Sequence, residues 1–193
     1  MVGRNKAIDD LKLAEAFPQP HKPFDECWSV RMDSELLVID DDETHATRFS
    51  DDPDDAGRAL MVVNEKNKEI ILLSIDNMLV ASRQGGITDG ALFDTEQFHF
   101  IEFKTNALGY SVQSVFDTFD KAVGQLRETI KVFVEKMEPQ SVNLTDVRKV
   151  YCHVVVSERF PRVRATRQAY SLSFFDETGI ELSFSDKLYW EGF

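Results

Sequence analysis

Residues 88–106 read TDGALFDTEQFHFIEFKTN. Two runs of large apolar residues flank the turn signal Asp94-Thr95-Glu96-Gln97, so the segment reads as a β-hairpin. A four-residue loop pairs Phe93 with Phe98, and a two-residue loop at 95–96 gives the same register. Asp89 then lies opposite Glu102, with Cβ atoms about 4.5–5.5 Å apart, where like charges repel. Lys104 projects from the same face as Glu102, roughly 6.6 Å further along the strand. Ala91, Phe93, Phe98 and Phe100 fill the rest of that face. Two acids and an amine therefore meet at one end of an apolar hairpin, which is costly unless something binds them.

A divalent cation accounts for that cost. Mg²⁺ takes oxygen ligands, combining one or two carboxylates with water and substrate phosphate. Beside it, Lys104 would orient the attacking water and stabilise charge on the phosphate. The spacing equally fits a half-exposed hairpin end, where Lys104 only neutralises two surface acids. Spacing alone does not choose between them.

Around the hairpin, residues 5–17 read as a helix stopped by Pro18, Pro20 and Pro23. Segments 28–39, 59–63, 69–75, 87–93, 149–157, 169–175 and 180–184 read as strands. Asn64–Lys68 reads as a hairpin turn, Gly85-Gly86 as a break, and the acidic stretch 40–55 as a solvated loop. The strongest helical signal is 111–137, where Val115, Phe119, Ala122, Leu126, Ile130 and Phe133 recur along one stripe. Ser111 is its expected N-cap and Pro139 its stop. A strand–helix–strand unit favours parallel pairing of the strands it joins. The expectation is an α/β (α+β) fold with a mixed central sheet flanked by helices.

Asp89, eleven residues, then Ile101-Glu102-Phe103-Lys104 resembles the core motif of the PD-(D/E)XK nuclease superfamily, whose members have the restriction-endonuclease-like fold. That fold runs α-β-β-β-α-β, with the motif on the second and third strands and the fourth strand parallel to its neighbour. The element order matches it from about residue 69 to 157. The resemblance implies that Asp89 and Glu102 ligate Mg²⁺ (or Mn²⁺ in its place), with the Phe103 carbonyl a further ligand. It implies that Lys104 serves the nucleophilic water and that Gln125, on the following helix, joins the site. Gln125 fits a solvated helix flank as well. The family's first-helix glutamate has a candidate in Glu15, with Asp9 and Asp10 competing. Thr88 stands where a proline often precedes the aspartate.

The 193 residues suit a single domain, and 42% hydrophobic residues including 15 Phe argue for a globular one. Segment 24–64 lies outside the core pattern as a family-specific insertion, and 158–193 forms a C-terminal β extension. The N-terminus carries acids and no apolar signal core, and no run is long enough to span a bilayer. A soluble, cytoplasmic protein without membrane contact is expected. Cys27 and Cys152 are too few for a disulfide framework, and with His153 they lack paired zinc spacing. By strand alternation His99 faces away from Glu102.

Charge complicates the nuclease expectation, because the net charge is -12 and a polyanion binder is normally basic. Arg159, Arg162, Arg164 and Arg167 supply a local basic group able to contact phosphates, or else an ordinary basic loop. Acids at 40–42 and 51–55 lack EF-hand spacing. Two functions remain: a Mg²⁺-dependent deoxyribonuclease of defence or repair, or a catalytically inactive nuclease-fold module. A homodimer or a protein partner would use the acidic 40–55 region.

Overall fold

The computed structural model describes residues 5–81, 86–105, 111–157 and 164–190. Its chain order begins with α1 (Lys6–Asp10), α2 (Leu13–Ala16), β1 (Trp28–Arg31), β2 (Glu35–Asp41), β3 (Ala46–Ser50), β4 (Leu60–Val63) and β5 (Ile70–Ser74). The motif hairpin follows as β6 (Gly90–Phe93) and β7 (Gln97–Phe103). Then come α3 (Val112–Met137), α4 (Leu144–Val147), β8 (Lys149–Val155), α5 (Arg164–Thr178), β9 (Glu181–Phe184) and β10 (Lys187–Tyr189).

A six-stranded mixed sheet, ordered β1-β5-β6-β7-β8-β9, forms the middle of the molecule. Strands β5, β6 and β7 alternate in direction, while β7, β8 and β9 run parallel. The parallel pairing of β7 with β8 across α3 is the expected crossover. Every residue of β5, β6 and β7 is buried, because both faces of this sheet are covered. Alternation sorts the side chains between two cores. Leu73, Phe93, Phe98, Phe100 and Val154 face the helices, with Leu11, Phe119, Leu126 and Phe133. Leu72, Leu92, Ile101 and Val155 face the other way, toward Leu36, Val38, Leu60, Val62 and Trp190.

That second core lies beneath a four-stranded sheet, β10-β4-β2-β3. The layers are helices, large sheet and small sheet, so helices flank the large sheet on one face only.

Several segments differ from the sequence expectation. Helix 5–17 is broken at Lys12, whose φ is +49°, into two short turns. Segment 28–39 holds two strands that enter different sheets. Asn64–Lys68 is not a hairpin turn, because β4 and β5 also belong to different sheets. Asn64 fixes the crossover: its amide donates to the Asp33 and Lys68 carbonyls at 3.1 and 2.8 Å, and its oxygen accepts from Lys68 N. The acidic stretch 40–55 is not a loop throughout. Strand β2 runs to Asp41, a turn leads into β3, and a 3-10 helix spans Pro53–Gly57. Cross-strand pairing offsets the charge there, since the Asp41 carboxylate accepts from Arg48 Nε at 2.5 Å and from two turn amides.

Of the expected extension 158–193, residues 158–163 and 191–193 lie outside the described residues, and the rest is only partly β. Segment 169–175 lies inside helix α5, while the strand near 180–184 is β9. Tyr170, Leu172 and Phe174 imitate the two-residue period of a strand. Only Phe174 is fully buried, however, and Leu172 is exposed, with Tyr170 packing one turn before Phe174 on the same flank. Among the described residues no helix is long and apolar enough to cross a membrane.

Candidate functional site

The hairpin has the expected register, with Phe93 opposite Phe98 and Gly90 opposite Ile101. One step beyond, ladder pairing stops and side-chain chemistry replaces it. The Asp89 carboxylate accepts the backbone N–H of Phe103 at 2.6 Å. In a strand a residue's N–H and C=O leave on the same side, so the Phe103 carbonyl faces Asp89 as well. The Asp89 carbonyl accepts from the N–H groups of Ile75 and Asp76, which anchors the aspartate to the end of β5.

Glu102 is completely buried. One of its oxygens takes a short ion pair from Lys104 Nζ, and the other accepts from the Thr88 hydroxyl at 3.3 Å. Lys104 also donates to Gln125 Oε1 at 3.1 Å. Gln125 is buried on α3, and its amide donates to the Ile87 carbonyl at 3.1 Å. Helix and loop are tied together one turn later, where Thr129 Oγ1 accepts from Thr88 N and donates to the Gln125 carbonyl, both at 2.8 Å. Gly86 makes this packing possible. It has φ +82°, and a Cβ there would stand 2.8 Å from Gln125 Cγ.

Burial dominates the electrostatics. It pushes the Glu102 carboxyl up to about 7, against the pull of Lys104. Burial also holds Asp89 well above the usual carboxylate range, with further repulsion from Glu102 and Asp40. Two desolvated acids side by side are a poor resting arrangement and a good cation receptor. Among the described residues no three His, Cys, Asp or Glu side chains could hold one ion together. A cation held by Asp89, Glu102 and the Phe103 carbonyl would have to complete its shell with water.

Asp89, Glu102, Lys104 and Gln125 thus meet at one place. The basic group is not assembled there among the described residues. Arg159 and Arg162 lie outside those residues, and Arg164 opens α5. Arg167 donates to the Phe184 carbonyl at 3.4 Å. None of the first-helix acids bonds to these four residues: Asp10 pairs with Lys6 and Arg148, and Asp9 and Glu15 are exposed. His99 faces away from Glu102, and Cys27 and Cys152 are buried and unbridged.

Sequence reading missed Asp40, Gly86 as a packing partner, and Thr129. Only Asp40 had a signal: Leu36, Val38 and Asp40 alternate along ELLVID as one face of a strand. Compared with protein-family models, with curated proteins and with solved structures, the chain matches none.

Proposed function

We propose that the protein is a divalent-cation-dependent nuclease of PD-(D/E)XK type that hydrolyses phosphodiesters in DNA. The observation that carries this reading is the meeting of Asp89, Glu102, Lys104 and Gln125 where ladder pairing ends between two antiparallel strands. Support also comes from the order β5-β6-β7-α3-β8, with β8 parallel to β7. Bound between Asp89 and Glu102, Mg²⁺ or Mn²⁺ would polarise a phosphoryl oxygen and acidify a water. The chain's own groups do the rest. Asp89 is held in place by Phe103 N–H, and Thr88 orients Glu102. Lys104, fixed by Gln125, directs its ammonium at the attacking water and the phosphate oxygens. Water adds to phosphorus, the ester P–O bond breaks, and the leaving oxygen takes up a proton, giving a phosphomonoester and an alcohol.

The test is incubation of plasmid, linear and single-stranded DNA with Mn²⁺ or EDTA. Cleavage is expected with Mn²⁺ alone, and Glu102→Gln or Lys104→Ala should reduce it at least 100-fold while circular dichroism stays unchanged. Equal cleavage by the folded variants removes the catalytic assignment.

A second reading, an inactive member of the fold that binds a basic partner, draws on the net charge of -12. Arg48 and Arg58, in the acidic region, are both engaged by aspartates. Mn²⁺ uptake that depends on Asp89 counts against it.

A further inference from the structure

The small sheet reaches the site. Leu36 and Val38 point into the core between the sheets, and alternation puts Asp40, two residues on, on the same face. Its cross-strand partner Thr47 docks on the large sheet. Thr47 N donates to Ser74 Oγ at 2.9 Å, and Ser74 pairs with Gly90. The contact is close enough that a Cβ on Gly90 would stand 3.1 Å from Thr47 Cβ. Asp40 is thereby placed beside the residue that follows Asp89.

Among the described residues, two polar groups at this junction lack partners. Thr47 is 5% exposed, and its hydroxyl has no hydrogen-bond partner among the described residues. The half-buried Asp40 carboxylate makes no hydrogen bond or ion pair with any described residue. A buried orphan hydroxyl and an unbonded acid are an expensive pairing. Burial raises Asp40 above the usual carboxylate range, with Asp42 and Asp76 adding to it. A water-bearing cation beside Asp89 would satisfy both groups.

Resting on the reading of Asp89 and Glu102 as a cation site, we propose that Asp40 is its third acid, delivered by the small sheet. Asp40 acts through the ion's water shell, because Mg²⁺ keeps several waters and, among the described residues, no three such side chains could hold one ion together. The segment outside the nuclease core pattern thus supplies part of the site.

Mn²⁺ titration by calorimetry, with unfolding temperature measured in EDTA and in Mn²⁺, tests this without any cleavage assay. Asp40→Asn and Asp40→Ser should each weaken Mn²⁺ binding about tenfold and shrink the Mn²⁺-induced rise in unfolding temperature. In EDTA both should unfold at or above the wild-type temperature, because a repulsive charge has gone. Asp42→Asn, exposed two residues away, should bind as wild type does. If Asp89→Asn abolishes binding while the Asp40 variants bind normally, the proposal is overturned and the site reading stands. Lower stability of both Asp40 variants in EDTA would make Asp40 structural and overturn it too. A wild-type protein that takes up no Mn²⁺ overturns the site reading and this proposal together.

Discussion

Gly86 shows how much one residue can decide here. Its left-handed backbone and missing side chain let Gln125 lie flat against the chain, where it holds Lys104. Gly86→Ala adds both an unfavourable φ and a clash, and should cost roughly 1–3 kcal/mol. Urea denaturation checks this, with a lower midpoint and an unchanged slope expected. At this scale the sequence was informative about Asp89, Glu102 and Lys104, because the parity of a hairpin register leaves little freedom once the turn is placed. It was silent about Gly86 beyond marking a break, since its contact lies 39 positions away on a helix. Asp40 was legible only as a member of the Leu36–Val38 face, since periodicity reports which face a residue occupies, never what lies opposite.

Among the elements, α3 carries the most structure and was the most legible. Its 26 residues follow the N-cap Ser111, whose hydroxyl accepts Ser114 N–H in a reciprocal capping box. Its stripe buries Phe119, Leu126 and Phe133. What periodicity could not give was its tie to the Asp89 loop. Thr129→Val keeps the shape but removes the acceptor for Thr88 N–H, leaving a buried donor unpaired at a cost of about 1–3 kcal/mol. Hydrogen exchange at the Thr88 amide should accelerate in the variant, while amides in the first turns of α3 keep their wild-type rates. The misread elements share a cause. In α5 three apolar residues spaced two apart imitate a strand though only Tyr170 and Phe174 share a helix flank, and in 40–55 charge masked strand β3, whose Arg48 pairs with Asp41. Strands that change sheets, such as β1 to β2, give no local signal because both sheets want the same residues.

The whole molecule is joined across its two sheets by a buried polar chain. Ser183 donates to His153 Nδ1 at 2.5 Å, His153 Nε2 meets His99 Nδ1 at 2.8 Å, and His99 Nε2 meets Gln97 Oε1 at 3.0 Å. Gln97 in turn donates to the carbonyl of Trp190, at the end of the small sheet's β10. Because Gln97 presents its oxygen, His99 carries its proton on Nε2 and His153 must donate to it. Both rings are then neutral. Burial holds His99 well below its ordinary range and lowers His153 to about 4. An imidazole whose folded pKa is depressed adds stability that is complete above about pH 6.5 and is lost as the pH falls toward 4. Raised acids such as Glu102 act with the opposite sign, but they are common to a comparison with His153→Gln. Between pH 7 and 4 the wild type should lose roughly 3 kcal/mol more than that variant, as read from denaturation midpoints. Finally, the large sheet is apolar on both sides, so the small sheet over it is a lid the molecule cannot discard. A shortened chain beginning at β5 would meet water with an oily plane formed by Leu72, Leu92 and Ile101. Any search for a minimal folded fragment must therefore keep the segment that looks most like an appendage.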